Sequence, residues 1–288
     1  MRELLVISGK GGTGKTSVVG AFAVWARSKV VVDADVDAAD LHLLLHPEEQ
    51  MAHEFWGNPQ AFIHDSRCRG CGLCLEACRF GAIDSGERYR VNPLFCEGCG
   101  VCSRICPERA IEMRAHLAGH WYISQTPYGP MVHAQLGIAE DNSGKLVTVI
   151  RQAARQLAQE RGLDFILIDG PPGIGCPVMA SLTGVSLALV VTEPTVAGLH
   201  DLARITDLAR HFRVPVQVCI NKFDLAPEQT AEIDDYCQAK GLEVIGKIPF
   251  DEEVMKAVAR GEPIALGAGR AAGAVREIWE KIEKKLGF

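Results

Sequence analysis

The stretch that decides the fold runs from Leu4 to Thr16 and reads Leu-Leu-Val-Ile-Ser-Gly-Lys-Gly-Gly-Thr-Gly-Lys-Thr. Its apolar start predicts a short buried strand. The remainder matches the phosphate-binding pattern G-x-x-x-x-G-K-S/T, in which glycines let backbone N–H groups turn toward phosphate oxygens. A helix predicted over residues 15–27 points its positive end at the same phosphates. The stretch therefore predicts a nucleotide site.

Individual side chains of this loop receive roles from the same pattern. Lys15 is expected to pair with the β- and γ-phosphates, and the Thr16 hydroxyl is expected to bind Mg²⁺. Lys10 is a second lysine inside the loop, and its plainest interpretation is a solvated loop residue. The predicted nucleotide contacts in the loop are Gly9, Lys10, Gly11, Gly12, Thr13, Gly14, Lys15, Thr16 and Ser17.

Apolar runs and helical spacing alternate along the rest of the chain. Strands are predicted near residues 3–8, 30–33, 119–124, 164–169, 185–192, 215–220 and 243–248, and helices near 15–27, 145–161, 196–211, 226–240, 251–260 and 270–286. This alternation predicts an α/β fold with a mainly parallel, doubly wound sheet that is covered on both faces. A nucleotide then binds at the carboxyl ends of the strands.

The two lysines complete a motif, K-G-G-x-G-K-T over residues 10–16, which resembles the deviant Walker A motif of the MinD/ParA superfamily of P-loop ATPases. In that superfamily the first lysine reaches across a dimer interface to the partner's nucleotide. The resemblance implies that Lys10 acts in trans, and that ATP and Mg²⁺ are cofactors. It also implies an ATPase that is slow without a partner, working as a homodimer or as a heterodimer with a paralogue.

Acidic residues follow two of the predicted strands. The run from Asp33 to Asp40 resembles switch I of the superfamily, and Asp35 is the first choice for activating the attacking water. Asp33 and Asp40 are weaker candidates, because a short acidic run after a strand can also cap a helix. A later strand delivers Asp169, which resembles a Walker B aspartate that holds Mg²⁺ through water at the start of switch II.

Two further segments are candidates for contacting the base. Asn221 matches the base-contacting asparagine of the superfamily, although N-K-x-D also resembles the guanine-specific motif of GTPases, in which Asp224 would read the base. The deviant Walker A motif favours ATP. Pro249 and Asp251, which follow another predicted strand, resemble the loop that covers adenine.

Eight of the eleven cysteines form two copies of the pattern Cys-x2-Cys-x2-Cys-x3-Cys. In this pattern three thiolates wrap one iron–sulfur cube and the fourth ligates the other cube. Zinc sites more often use Cys-x2-Cys pairs with a longer spacer, and disulfide frameworks need an oxidising compartment. The spacing predicts two [4Fe-4S] clusters, the first held by Cys68, Cys71, Cys74 and Cys106 and the second by Cys96, Cys99, Cys102 and Cys78.

The cysteine block interrupts the nucleotide-binding pattern. Residues 60–113 resemble bacterial two-cluster ferredoxins, so we expect an inserted small α+β ferredoxin-like domain between two parts of the ATPase domain, 1–59 and 114–288. Arg79 departs from the repeat, because Pro107 follows the last cysteine of the second copy. The insert implies a redox partner protein whose identity the motifs leave open.

Composition disfavours several partners. The net charge is −6, with 30 basic and 36 acidic residues and no long basic tract, so no nucleic-acid partner is expected. No apolar run of about 18 residues predicts a membrane span. The helix predicted over residues 270–286 mixes glutamates among its lysines, which favours docking on its own domain over stable membrane association. The short N-terminal run before Gly9 does not resemble a signal peptide, so we expect a cytoplasmic location.

The leading hypothesis is an ATPase that couples nucleotide state to electron transfer through both clusters. The alternatives are an iron–sulfur cluster carrier of the Mrp type and a spatial-organising ATPase of the MinD or ParA type. Cys176 lies seven residues after Asp169, where the nitrogenase iron protein has a cluster ligand, but the ligand set is incomplete here, so we expect a small thiol packed beneath switch II. Cys219 and Cys237 are expected to be core or helix residues.

Overall fold

The computed structural model describes residues 1–137 and 143–287. These residues form two compact units. One unit comprises residues 1–52, 121–135 and 143–287, and we call it the nucleotide unit. The other comprises residues 53–120 and 136–137, and we call it the cysteine unit because it holds all eight cysteines of the repeat. It extends beyond the predicted 60–113 segment at both ends.

The strands, in chain order, are β1 (Arg2–Ser8), β2 (Lys29–Asp33), β3 (Glu48–Trp56), β4 (Gln60–Ile63), β5 (Ile83–Asp84), β6 (Arg90–Val91), β7 (Ile111–Arg114), β8 (Leu117–Thr126), β9 (Gly129–Leu136), β10 (Phe165–Pro172), β11 (Leu187–Thr192), β12 (Val216–Asn221) and β13 (Glu243–Ile248). The α-helices are α1 (Lys15–Trp25), α2 (His42–Leu45), α3 (Leu73–Ala77), α4 (Val101–Ile105), α5 (Ser143–Arg161), α6 (Cys176–Leu182), α7 (Val196–His211), α8 (Pro227–Lys240), α9 (Glu252–Ala259) and α10 (Arg270–Leu286). Two short 3₁₀ turns cover Pro93–Phe95 and Ile264–Leu266.

A nine-stranded sheet, in the order β13-β12-β11-β1-β10-β2-β9-β8-β3, forms the core of the fold. Seven of these strands, from β13 to β9 in that order, pair in parallel. The predicted α/β fold with a large, mostly parallel sheet is therefore confirmed. The register places Asp169 of β10 opposite both Asp33 of β2 and Val6 of β1. Both predicted acidic positions thus reach the same edge of the sheet, beside the end of β1.

Helices cover the sheet because successive strand side chains point to opposite faces and both faces are apolar. Leu4 and Val6 share one buried cluster with Phe22 of α1 and Trp279 of α10. Leu5 is equally buried on the opposite face. The C-terminal α10 buries apolar residues at helical spacing and ends at Gly287 in the left-handed conformation, an ordinary helix stop. Its expected docking on its own domain is confirmed.

Two strands of the sheet were not predicted. β3 has the sequence Glu-Glu-Gln-Met-Ala-His-Glu-Phe-Trp and is mostly exposed, so it shows neither an apolar run nor strict alternation. β9 begins with Gly129-Pro130 and follows β8 after two residues. β3 lies at the edge of the sheet and is stabilised by pairing with its neighbour rather than by burial of its side chains. β9 lies between β2 and β8 and buries four of its eight residues, but its sequence shows neither a long apolar run nor strict alternation.

The cysteine unit is built from two similar halves. Each cysteine run places a left-handed glycine at the start of a five-residue helix, Gly72 before α3 and Gly100 before α4. After each run, a backbone N–H donates to the sulfur of the last cysteine: Ala82 to Cys78 at 3.4 Å and Ala110 to Cys106 at 3.3 Å. Two small antiparallel sheets, β4-β7 and β5-β6, complete the unit. The repeat in the sequence is therefore also a repeat in backbone geometry.

Candidate functional site

The phosphate-binding loop lies between β1 and α1 and brings three predicted site residues together. Lys15 is the first residue of α1, and its Nζ lies 2.6 Å from Asp169 Oδ1 and 3.6 Å from Asp35 Oδ2. Burial alone would lower the pKa of Lys15, but the nearby carboxylates, Asp169 first and then Asp35, outweigh it and raise that pKa. The lysine therefore remains charged, and it is held by acidic groups of both predicted switch segments.

The two acidic residues of the predicted switch I differ in environment. Asp33 is buried, and its two carboxylate oxygens accept the backbone N–H groups of Asp35 and Leu41, each at 3.2 Å. Burial, followed by repulsion from Asp169, raises the pKa of Asp33 well above its ordinary value. Asp33 therefore anchors the backbone of the loop. Burial raises the pKa of Asp35 to about 6, a value suited to accepting a proton near neutral pH.

Polar atoms in the loop fit Mg²⁺ and a nucleotide. In the part of the chain that the structure describes, Asp169 Oδ2 and Thr13 Oγ1 are buried without a hydrogen-bond partner. A buried carboxylate oxygen without a donor is costly, and a metal-bound water would satisfy it. Lys15 Nζ also lies 3.5 Å from Thr16 Oγ1, the hydroxyl predicted to bind Mg²⁺. This donor set suits a phosphate group with a hard cation beside it.

Lys10 forms an ion pair that the sequence did not predict. Its Nζ lies 3.2 Å from Glu193 Oε2, while Glu193 Oε1 lies 2.5 Å from Lys222 Nζ. Glu193 directly follows β11, at the same edge of the sheet as the loop. The one signal that could have identified it is an acidic residue immediately after a buried strand, which is the reasoning that found Asp33 and Asp169.

Asn221 lies against the loop. Its Nδ2 donates to the carbonyl of Thr13 at 2.7 Å, and its Oδ1 accepts the N–H of Lys222. A Cβ on Gly14 would come within 2.4 Å of Asn221 Nδ2, so a side chain at this position would clash. The φ of Gly14 is +87°, a left-handed conformation that also favours glycine. Asn221 therefore ties the end of β12 to the phosphate-binding loop, and its predicted base contact stays a prediction.

The two segments predicted to surround the base are joined by a hydrogen bond. Asp224 Oδ1 accepts the N–H of Phe250 at 2.7 Å, which links the N-K-x-D segment to the loop after β13 that begins with Pro249. Asp251 caps α9, since it accepts the N–H groups of Ala271 and Glu253, each at 3.1 Å. These two hydrogen bonds, Ala271 first, lower the pKa of Asp251. The carboxylates of Asp224 and Asp251 thus both accept hydrogen bonds from the backbone.

The cysteines of the repeat line two partly open cavities of about 370 Å³ each, a volume that includes adjoining solvent. Tyr89 also lines the first cavity, and Phe80 lines the second. In the first cavity the lining cysteines are Cys68, Cys71, Cys74 and Cys106, and in the second they are Cys78, Cys96, Cys99 and Cys102. These are the two predicted sets of four, with Cys78 and Cys106 each crossing to the cavity of the other run. All eight thiols are free.

Four thiols lining one cavity are chemically the donor set that an iron–sulfur cluster requires. Within residues 1–137 and 143–287, no group of three or more His, Cys, Asp or Glu side chains is drawn together in a way that could hold a metal ion. The structure therefore groups the predicted ligands by cavity, and what they bind belongs to the proposal below.

The remaining cysteines follow the expectations in part. Cys219 of β12 and Cys237 of α8 are buried, and burial raises their thiol pKa values to about 12 and about 11. Both are core residues, as predicted. The expectation that Cys176 packs beneath the predicted switch II is wrong, because this thiol is exposed at the start of α6, whose buried residues begin at Val178.

None of the described helices is both long enough and apolar enough to cross a membrane.

Comparison with known proteins identifies the class. The family described as the CobQ/CobB/MinD/ParA nucleotide binding domain (CbiA) matches residues 4–264, so the chain belongs to this family of P-loop ATPases. An uncharacterized protein of Methanocaldococcus jannaschii is 30% identical over 292 residues, which cover 98% of this chain and 96% of that protein.

Two further comparisons concern a partial relative and the fold. The iron-sulfur cluster carrier protein of Pyrococcus abyssi is 32% identical over 161 residues, covering 50% of this chain and 53% of the carrier. Among solved structures, the septum site-determining protein MinD of Pyrococcus horikoshii, complexed with Mg-ADP, matches with a TM-score of 0.59 and 19% identity, over 99% of this chain and 97% of that one. At that identity the likeness shows the fold alone.

Proposed function

We propose that this protein is a dimeric ATPase that couples its nucleotide state to electron transfer through two [4Fe-4S] clusters. The observation that carries the proposal is the crossed lining of the cavities, in which Cys106 joins the first run and Cys78 joins the second. A crossed ligand set is the arrangement that two-cluster ferredoxins use. In this protein the crossed lining occurs in the same chain as a complete phosphate-binding loop.

In the nucleotide unit, binding of Mg²⁺-ATP exchanges one set of ionic contacts for another. Lys15 leaves Asp169 and Asp35 for the β- and γ-phosphates, which compete for the same ammonium group. Asp169 and the Thr16 hydroxyl would hold Mg²⁺, which would neutralise charge on the phosphates. Asp35, released from Lys15, accepts the proton of the attacking water. Because Asp35 and Asp169 lie in the two switch segments, the exchange signals nucleotide state to the backbone of both.

In the cysteine unit, the eight thiolates would hold the two clusters, which supply one-electron transfer when bound. The chain itself contributes the cavity walls and hydrogen bonds. Tyr89 lines the first cavity and Phe80 lines the second. The N–H groups of Ala82 and Ala110 donate to the sulfurs of Cys78 and Cys106, which favours added negative charge on the bound group.

The test is a redox titration of the anaerobically purified protein by EPR, with and without a non-hydrolysable ATP analogue and Mg²⁺. We expect about eight iron atoms per chain and a nucleotide-dependent shift in the reduction potential or in the chelation rate of at least one cluster. Asp169→Ala should weaken the shift. Asp207→Asn, which changes an exposed carboxylate paired with Arg210, serves as the control. Superimposable titrations with equal chelation rates would leave a tethered ferredoxin module that does not respond to nucleotide.

A second candidate function is delivery of iron–sulfur clusters. The partial similarity to an iron-sulfur cluster carrier protein favours it. Carriers of the Mrp type use a Cys-x2-Cys pair at the dimer interface, and the chain has no such pair outside the cysteine repeat. Incubation of the loaded protein with an apo-ferredoxin separates the two functions. Transfer of iron and sulfide within minutes supports a carrier, whereas retained iron with electron transfer to an acceptor supports the leading proposal.

A further inference from the structure

We propose that Glu193 is a positioning residue that holds Lys10 against its own phosphate-binding loop in the nucleotide-free chain and must release it before the dimer closes. The inference rests on the proposed function, because it takes Lys10 to act on the partner's nucleotide. It adds a residue that the loop motif does not contain. Glu193 lies 183 positions away from Lys10 in the sequence.

The geometry makes Glu193 the fixed partner of this pair. The carbonyl of Glu193 accepts the N–H of Thr195 at 2.8 Å. Gly198 packs so closely on the same carbonyl that a Cβ there would lie 2.2 Å from it. The side chain of Glu193 is 12% exposed, whereas that of Lys10 is 41% exposed. When the pair opens, the lysine is therefore the residue that moves.

The charges make the contact breakable. A single carboxylate serves two ammonium groups, since Lys10 and Lys222 each occupy one of its oxygens. Lys222 Nζ also lies 3.4 Å from the carbonyl of Gly12, so the carboxylate sits directly beside the loop. Phosphate groups entering the loop bring negative charge next to Glu193 and offer both lysines another anion. An ion pair with a half-exposed lysine is weak enough to be exchanged in this way.

The contact has an energetic consequence for dimer formation. Each protomer that offers Lys10 to its partner must first break the pair with Glu193. Removing the carboxylate therefore stabilises the dimer relative to the monomer without adding any contact to the interface. This gain in dimer stability requires Lys10, and it must persist when the nucleotide site is saturated. These two conditions separate release of Lys10 from a simple increase in ATP affinity, which the loss of a negative charge near the phosphates would also cause.

The test measures dimerisation of the full chain by analytical ultracentrifugation, at saturating concentrations of a non-hydrolysable ATP analogue. Glu193→Gln keeps the shape of the side chain and removes its charge. We expect half-dimerisation at an about three- to tenfold lower protein concentration than in the wild type. Glu280→Gln is the matched control, because it removes the carboxylate of an exposed ion pair with Arg276 on α10. It should leave dimerisation unchanged.

A second measurement uses salt. Raising ionic strength screens the pair, so the difference between the wild type and Glu193→Gln should shrink between about 0.05 and 0.5 M NaCl. Glu193→Gln protein that dimerises no more readily than the wild type at low salt would overturn the proposal, as would a gain that disappears at saturating nucleotide. Lys10→Ala protein that dimerises normally would instead refute the trans role of Lys10, so failure of the proposed function is recognised separately.

Discussion

The two compact units differ in what fills their interiors. The nucleotide unit buries a large apolar cluster that includes Phe22, Phe165 and Trp279. The main buried cluster of the cysteine unit has four residues, Ala61, Ile63, Ile83 and Ile111, and six of its cysteines pack against them. A unit of this size has little apolar surface to bury and needs additional cross-links or bound metal. We therefore expect the first unit to fold on its own core and the second to depend on the clusters proposed for its thiols.

The largest expected effect tests that difference directly. Anaerobic removal of iron with a chelator should abolish the protection of backbone amides in β4, β7, α3 and α4, because metal binding and folding are coupled in such units. Amides of β1 and α10 should keep their protection. Hydrogen exchange read by mass spectrometry follows both units in one sample. Equal protection of the cysteine unit with and without iron would show that its small core suffices.

A loss of nucleotide affinity should follow substitution of Lys15. Lys15→Ala removes the charge that faces the phosphates, and we expect ATP affinity to fall by about 100-fold or more. The substitution also leaves the carboxylates of Asp35 and Asp169 without their counter-charge, so Lys15→Arg is needed as a variant that keeps the positive charge. Isothermal calorimetry measures affinity, and circular dichroism verifies folding. Iron content should not change in either variant, and a loss of iron would show that retention of the clusters depends on the phosphate-binding loop.

Iron content distinguishes cysteines of the two units. Cys78→Ser should reduce iron by about half, with the loss confined to the second cluster, because Cys78 lines that cavity. Cys219→Ser is the matched control, since Cys219 is a buried core thiol of the nucleotide unit. It should leave iron unchanged and lower stability by about 1–3 kcal/mol, the cost of a buried hydroxyl. Iron analysis combined with EPR separates the outcomes, and full iron in Cys78→Ser would contradict the crossed ligand set.

The pH dependence of the nucleotide unit should report Asp35, whose pKa is raised by burial from 3.8 to about 6. Hydrolysis requires the ionised form, so kcat/KM, which reports the nucleotide-free protein, should fall about tenfold for each pH unit below about 6. Ionisation of Asp35 has the opposite effect on stability: it promotes hydrolysis but lowers the free energy of unfolding. The folded chain holds this proton more tightly than the unfolded chain, so ionised Asp35 destabilises the fold above pH 6 and the cost disappears toward pH 4.

Asp35→Asn isolates this contribution. The variant should melt at a higher temperature than the wild type at pH 7.5, and the difference should shrink as the pH approaches 4. Asp40→Asn, at an exposed position of the same segment, controls for a general change of charge. A constant difference between the melting temperatures at both pH values would mean that Asp35 does not titrate as proposed.

The smallest expected effect concerns the choice of base. Because Asp224 accepts the N–H of Phe250, Asp224→Asn should change ATP affinity by less than about tenfold, the worth of one hydrogen bond. It should leave ATP preferred over GTP. Competition binding with both nucleotides measures this. If Asp224 instead reads guanine, the wild type will bind GTP tightly and the variant will lose that binding.

Much of the architecture could be predicted because it is encoded in short spacings. A buried strand, a glycine-rich loop and a helix occupy 25 consecutive residues from Met1 to Trp25. The acidic residues after β2 and β10 were predicted for the same reason, since parallel strands end at one edge of the sheet. The grouping of the cysteines also follows local spacing, and the structure places each predicted set around one cavity.

Other features depend on the order of strands in the sheet. The carboxylate of Glu193 reaches Lys10 because β11 lies directly beside β1. Asp224 reaches Phe250 because β12 and β13 are neighbours. The edge strand β3 and the interior strand β9 carry no clear local signal and take their places by pairing with their neighbours. The sequence by itself determined the nucleotide loop, the parallel α/β pattern and the two cysteine sets, since these depend on residues a few positions apart. The tertiary structure alone decided which charged side chains meet, because those contacts join residues that only the folded sheet brings together.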